Sequence, residues 1–302
     1  MKKVPNRTTR IIAAILILPC LYAGWLALQW GIADRNAYDA AQLLKSWQKI
    51  ENFRSADLVK AIELTETAIH WAPDHPQYRD QMAELLLLQS RLTDDPALAR
   101  LALTHLEHSR SIRPRWGRNW ATYAEAKHLL GEIDSDFAEA IRQAATSGPW
   151  EPLVIQTVVE LGTAHYGELP ADVKPLVIDK IRNAMHHQNA RLPSRAAELI
   201  KAQAQGWTEE YVRELISAMA EEPWQQTAAR AYVDLVVTLW PIVPAGQQQV
   251  FIVKLAEALA RSRDNGIVRM VRDGGQLPQI CPYLPRTQRF INFCSNNRLR
   301  IN

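Results

Sequence analysis

Between Ile11 and Ile32 the chain reads IIAAILILPCLYAGWLALQWGI, 22 residues without a charge. As a helix rising about 1.5 Å per residue this run covers about 33 Å, close to the hydrocarbon thickness of a bilayer. Downstream the apolar positions fall three and four apart, the period of amphipathic helices. Tyr38, Ala41, Leu44 and Trp47 predict a helix that continues the apolar run or restarts just beyond it, followed by a loop at Glu51–Ser55. Ala61, Leu64, Ala68 and Trp71 predict the next helix, closed by Pro73-Asp74-His75-Pro76. Tyr78, Met82 and Leu85 stripe another, from about Gln77 to Leu88. Leu98, Leu101, Leu106 and Ile112 mark a helix from Pro96 to Pro114, with Trp120, Ala124 and Leu129 on its expected partner, which stops at Gly131. Phe137, Ile141 and Ala144 then lead to Ser147-Gly148-Pro149, and Val154, Val158 and Leu161 to Gly162.

Corresponding prolines recur. Pro73 and Pro114 lie 41 residues apart and Pro114 and Pro149 lie 35 apart, the longer interval absorbing the Arg91–Pro96 loop. A helix-turn-helix unit with small and aromatic packing positions and a closing proline has a period near 34 residues, so residues 56–167 resemble tetratricopeptide repeats. Pro73, Pro114 and Pro149 take the proline position, Ala68 and Ala144 small packing positions, and Tyr78 the aromatic one. The repeats are degenerate, with Asn119 and Val154 where tyrosine is usual.

Helical periodicity continues through Ala171–Gln188, Ser194–Gln205, Thr208–Met219, Pro223–Leu239 and Gly246–Arg263. Pro193 and Pro223 suit first helical positions, Thr208 a cap and Gly206 a stop. No stretch alternates as a strand must. The expected fold is all-α, a single N-terminal transmembrane helix followed by a solenoid of helical hairpins. Its parts are a basic tail (1–10), the spanning helix (11–32), a juxtamembrane helix and linker (33–55), the repeats (56–167), a helical C-terminal region (168–272) and an irregular tail (273–302).

Charge orients the apolar run. Lys2, Lys3, Arg7 and Arg10 precede it while Asp34, Arg35 and Asp39 follow, which predicts a cytoplasmic N-terminus and the bulk outside. The run exceeds the h-region of a cleaved signal peptide, although Gly31 and Ala33 supply small residues for a cleavage site. Pro19 before Cys20, and apolar chain after it, oppose a lipoprotein reading. Trp25 and Trp30 lie where aromatic belts meet the outer interface. A net charge of +3 over 302 residues is too small to imply nucleic acid.

On that side of the membrane Cys281 and Cys294, 13 positions apart in the tail, are expected to form a disulfide. His105 and His108 lie on adjacent surface positions of one helix, and His186-His187 point in different directions. Neither pair has an identifiable third ligand, so no metal is expected. Asp94-Asp95 and Asp134-Ser135-Asp136 precede helices and read as caps. No nucleophile elbow, paired zinc histidines or phosphate loop occurs, and no enzyme activity or cofactor is expected. The unusual density is elsewhere. Of ten tryptophans, Trp116 and Trp120 interleave with Arg113, Arg115 and Arg118 around Pro114. Guanidinium forks with flat indoles suit an anionic partner, a polysaccharide or the acidic face of a protein. Arginines complementing a helix C-terminus and indoles filling gaps between hairpins are the structural alternative.

The order of segments resembles a known group. An anchor ending QWGIADRNAY, the helix QLLKSWQK, then AIELTETAIHWAPDHPQY and a helical half ending in a Cys-Pro tail look like VpsP-type exopolysaccharide biosynthesis proteins. The resemblance implies an inner-membrane protein whose periplasmic domain serves polysaccharide synthesis or export, as an adaptor for envelope proteins. Direct polymer binding, or a helical polysaccharide lyase or hydrolase, are the alternatives. It carries over no catalytic residue.

Overall fold

A computed structural model describes residues 7–47, 55–187, 191–202, 226–243, 248–261, 265–273 and 280–296. The chain is all-α, and among the described residues there is no strand. It divides into two compact units, Met1–Pro114 and Arg115–Asn302.

The first unit is built on α1 (Arg7–Trp47), 41 residues without a break. It contains a stretch, Ile15–Leu44, long and apolar enough to cross a membrane. The apolar run and the amphipathic segment are therefore one helix rather than two. Beyond the run, Ala33, Ala37 and Ala40 turn one face of α1 onto α2 (Ser55–Trp71), where Ala61 and Ala68, with Ala72 just past the helix end, meet them. Alanine on both sides lets two backbones approach closely, which a larger residue would prevent. α3 (Pro76–Thr93) adds Tyr78 and Leu85 to the same clusters and grips α1 directly. The Tyr78 hydroxyl donates to the Asp34 carboxylate, and the Gln81 amide donates to the Ala37 carbonyl at 3.1 Å. Burial and the carboxylate together push the Tyr78 phenol above its ordinary pKa. α4 (Pro96–Ile112) completes the unit. Asp95 caps it by accepting from the Ala97 N–H at 2.9 Å, as Asp-Pro at a helix start should.

In the second unit α5 (Gly117–Leu129), α6 (Ser135–Ser147), α7 (Pro152–Ala164) and α8 (Lys174–His186) form two further hairpins. Gly131, at φ 69°, ends α5, and Asp134 caps α6 through the N–H groups of Asp136 and Phe137. Buried Lys127 crosses to this turn, with Nζ 2.6 Å from Glu132 and 2.7 Å from Asp134. α9 (Arg191–Ala202), α10 (Gln226–Leu239), α11 (Gln248–Arg261) and α12 (Asn265–Asp273) follow, with Ile200, Leu235 and Phe251 fully buried. The predicted helix Thr208–Met219 with its signals Gly206 and Thr208, and Pro223, lie outside the described residues, as does most of the basic tail.

Two expectations change. The helices on either side of each repeat proline are expected to pair, yet the closest pairs are α1 with α2, α3 with α4, α5 with α6 and α7 with α8. Pro73, Pro114 and Pro149 therefore stand between hairpins, where the closing proline of the repeat belongs. The tail is also not irregular throughout. A 3-10 turn (Cys281–Tyr283) and α13 (Gln288–Asn296) bury Ile280, Leu284, Phe290 and both cysteines, which are disulfide-bonded across Cα atoms 6.1 Å apart. Phe290 and Cys294 share a face four residues apart, a stripe too short to stand out from the prolines around it.

Candidate functional site

The arginine and tryptophan cluster is not one surface. Arg113 closes the first unit as the residue after α4, and its Nη2 lies 2.8 Å from the Asp80 carboxylate on α3. Asp80 is buried, so this ion pair braces α4 against α3, and at this position a ligand-facing guanidinium gives way to a structural one. The other four residues belong to the second unit. Arg115 is exposed in the turn before α5, and Trp116 caps that helix with an extended backbone, 39% of it exposed. Arg118 and Trp120 are half-buried, the Trp120 ring meeting Tyr123 edge-on at 6.3 Å. Trp120 therefore fills a gap inside the unit, while Trp116 faces outward.

A second exposed tryptophan, missed from sequence, lies on a turn packed against the start of α5. Trp150, 60% exposed, sits in the turn between α6 and α7. Gly117 and Gly148 bring that turn to the start of α5. A Cβ added at Gly117 would lie 2.6 Å from the Gly148 nitrogen and 2.8 Å from its Cα, so the two backbones touch. The exposed indoles of Trp116 and Trp150 thus flank one glycine–glycine contact, each within two residues of it. The signal was present in the repeat: tryptophan follows the repeat proline in Pro114-Arg115-Trp116 and in Pro149-Trp150.

α8 fixes the turn from beneath. The Asn183 amide donates to the Pro149 carbonyl at 3.2 Å, and the Lys180 amine reaches the same oxygen at 3.5 Å. The His187 ring nitrogen Nε2 lies 3.1 Å from the Trp150 carbonyl. Burial pushes the Lys180 pKa below its ordinary value, with Asp179 opposing. These contacts hold main-chain oxygens and leave the tryptophan ring outside. A rigid turn presenting an aromatic side chain loses little conformational freedom on binding, which favours contact with a partner.

The histidines of the sequence pairs make separate contacts. His105 meets Arg79 at 3.5 Å, and burial first, then Arg79 and His108, lower its pKa to about 4. His108 lies 3.7 Å from Asp74 instead of sharing a ligand with His105. His128 and His165, which sequence spacing did not connect, have ring nitrogens 2.9 Å apart, and His165 continues to Glu168 at 2.8 Å. Among the described residues no three His, Cys, Asp or Glu side chains are placed to hold a metal ion. No protein-family model and no curated protein matches this chain.

Proposed function

We propose that this chain is a tethered adaptor of the bacterial envelope, serving exopolysaccharide synthesis or export from the periplasmic side of the inner membrane. The observation that carries the reading is a pair of exposed indoles, Trp116 and Trp150, on two turns whose backbones touch at Gly117 and Gly148. Aromatic anchors on rigid backbone are what helical-repeat proteins use to hold other proteins. An apolar helix continuous with the first hairpin suits a tether, and a buried disulfide suits an oxidising compartment. The polysaccharide assignment rests on the family resemblance of the segment order.

The test is made in the source cell with the full chain. A photo-crosslinking amino acid in place of Trp150 is expected to trap a protein of the polymerase or export apparatus. Trp116→Ala with Trp150→Ala is expected to lower secreted polymer while membrane levels of the chain stay constant. Unchanged secretion at equal levels refutes the reading. The exposed Arg115, next to Trp116 in the chain, favours a second reading, direct binding of an acidic polymer through Arg115 and the two indoles. There, Arg115→Gln lowers retention of the purified chain on immobilised polymer, and unchanged retention rejects it.

A further inference from the structure

The turn between α2 and α3, residues 71–76, is held at a fixed height on α1. Three contacts set it. Trp71 meets Trp25 edge-on with ring centroids 6.5 Å apart. Ala68 and Ala72 pack with Ala33 and Ala37, and the Tyr78 hydroxyl bonds to Asp34. The turn itself is stiff: His75 stacks on Tyr78 at 4.1 Å, and the Arg79 guanidinium donates to the Pro73 carbonyl at 3.1 Å.

That height matters because Asp34 is the first charge after the apolar run. Trp25 lies nine positions earlier, about 13 Å along the helix axis. The headgroup zone on each side of a bilayer is only about 5–7 Å thick. A ring seated against Trp25 therefore reaches the boundary between acyl chains and headgroups, and the turn carrying it lies in the headgroup layer. Trp25 and Trp30 are themselves 51% and 62% exposed, so Trp71 joins two indoles already placed as an interfacial belt. The turn's carboxylate, Asp74, has the His108 ring 3.7 Å away. The far end of the unit is different. The α3–α4 turn at Asp94-Asp95 lies a helix length of about 27 Å away, beyond reach of the bilayer.

We propose that residues 71–76 are a membrane-docking elbow, seated in the headgroups of the bilayer that α1 crosses. The first hairpin then stands at a set angle and distance from the membrane instead of swinging on a tether. This rests on the reading that α1 spans, and the experiment separates the two. The full chain carrying Cys20→Ser, with its disulfide intact, takes one environment-sensitive fluorophore through Asp74→Cys, Gln77→Cys, Asp94→Cys or Leu18→Cys. It is reconstituted in vesicles of zwitterionic and anionic phospholipid. Probes at 74 and 77 are expected to shift to the blue, to lose emission to headgroup-attached nitroxide and to resist iodide. The probe at 94 does the reverse, and the probe at 18 is quenched only from within the lipid. If the probe at 74 is as open to iodide as that at 94 while 18 remains in lipid, the span stands and the elbow falls. Protection of 74 from both quenchers means that protein covers it, and overturns the proposal equally. Iodide access at 18 removes the span and the elbow together.

Discussion

Replacing Gly117 with alanine tests whether the Trp116–Trp150 face depends on backbone contact. The new Cβ would sit 2.6 and 2.8 Å from two backbone atoms of Gly148 and 3.1 Å from the Ser147 carbonyl carbon. No side chain can rotate aside, so α5 and the α6–α7 turn must separate by several tenths of an ångström. Overpacking of this kind costs about 1–3 kcal/mol. Against it stands the gain from a stiffer unfolded chain, about 0.4–1 kcal/mol for Gly→Ala at a compatible site. The net expectation is a loss of about 1–2 kcal/mol, which at about 2–4 °C per kcal/mol for a unit this size lowers Tm by about 2–8 °C. Thermal unfolding of the full chain followed by circular dichroism reads the shift. Gly167→Ala is the control, since a Cβ there meets nothing within 4 Å, and it is expected to leave Tm unchanged or raise it slightly. Gly117→Ala should also weaken crosslinking from position 150. If Gly117→Ala melts at or above the parent temperature, the two backbones do not touch and the shared face loses its basis.

Gly162→Ala drives a Cβ to 2.6 Å from a Val177 methyl and is expected to lower stability by about 1–3 kcal/mol; Val177→Ala in the same chain restores part of that loss if the α7–α8 approach is its cause, as a double-mutant cycle would show. Tyr78→Phe removes the donor to Asp34 and is expected to cost about 1–2 kcal/mol by denaturant unfolding, while a chain beginning at Ser55 loses the whole α1 face and should leave α2–α4 open to protease. His105, with its pKa lowered to about 4, binds fewer protons folded than unfolded, so the stability it contributes is present above its ordinary pKa near 6.5 and lost as pH falls toward 4. The full linkage would be about 3 kcal/mol, reduced by solvent screening at a partly exposed ring to about 1–2 kcal/mol. His105→Gln should flatten that part of the stability profile between pH 7 and 4, and an unaltered profile refutes the assignment.

The features legible in sequence were those with a local cause. Charge-free length marked the apolar part of α1, and Asp-Pro and Asp-Ser-Asp marked the starts of α4 and α6, because capping involves residues two or three apart. What failed to show was set by distance in the chain. Nothing in the spacing of alanines said that Ala33 and Ala37 would meet Ala68 and Ala72. The sequence therefore leaves open whether the apolar run continues as one helix, and it gives no sign that α2 packs along it. Pairing of helices across the prolines failed for a related reason, since a turn's sequence marks where a helix ends without saying which neighbour it packs on. Trp150 was overlooked because it stands alone, whereas Trp116 was noticed among arginines. Clustering in sequence was the weaker signal, since Arg113 proved to be a brace for Asp80 while a lone tryptophan after a repeat proline lay on the surface.

The continuity of α1 joins the two proposals. A flexible tether would let the first hairpin sample many orientations, and an adaptor so attached gains local concentration but no geometry. An alanine face, a tyrosine–aspartate bond and a tryptophan pair along a single helix remove that freedom for the first unit. With residues 71–76 seated in the headgroups as proposed, the bilayer itself sets the orientation of the first unit. Loosening the elbow perturbs the first unit alone, since Trp116 and Trp150 belong to the second. Trp71→Ala is expected to lower secreted polymer at constant chain level while photo-crosslinking from position 150 in detergent is retained. Loss of detergent crosslinking as well would show that Trp71 supports the fold at large and not the placement of the first hairpin on the membrane.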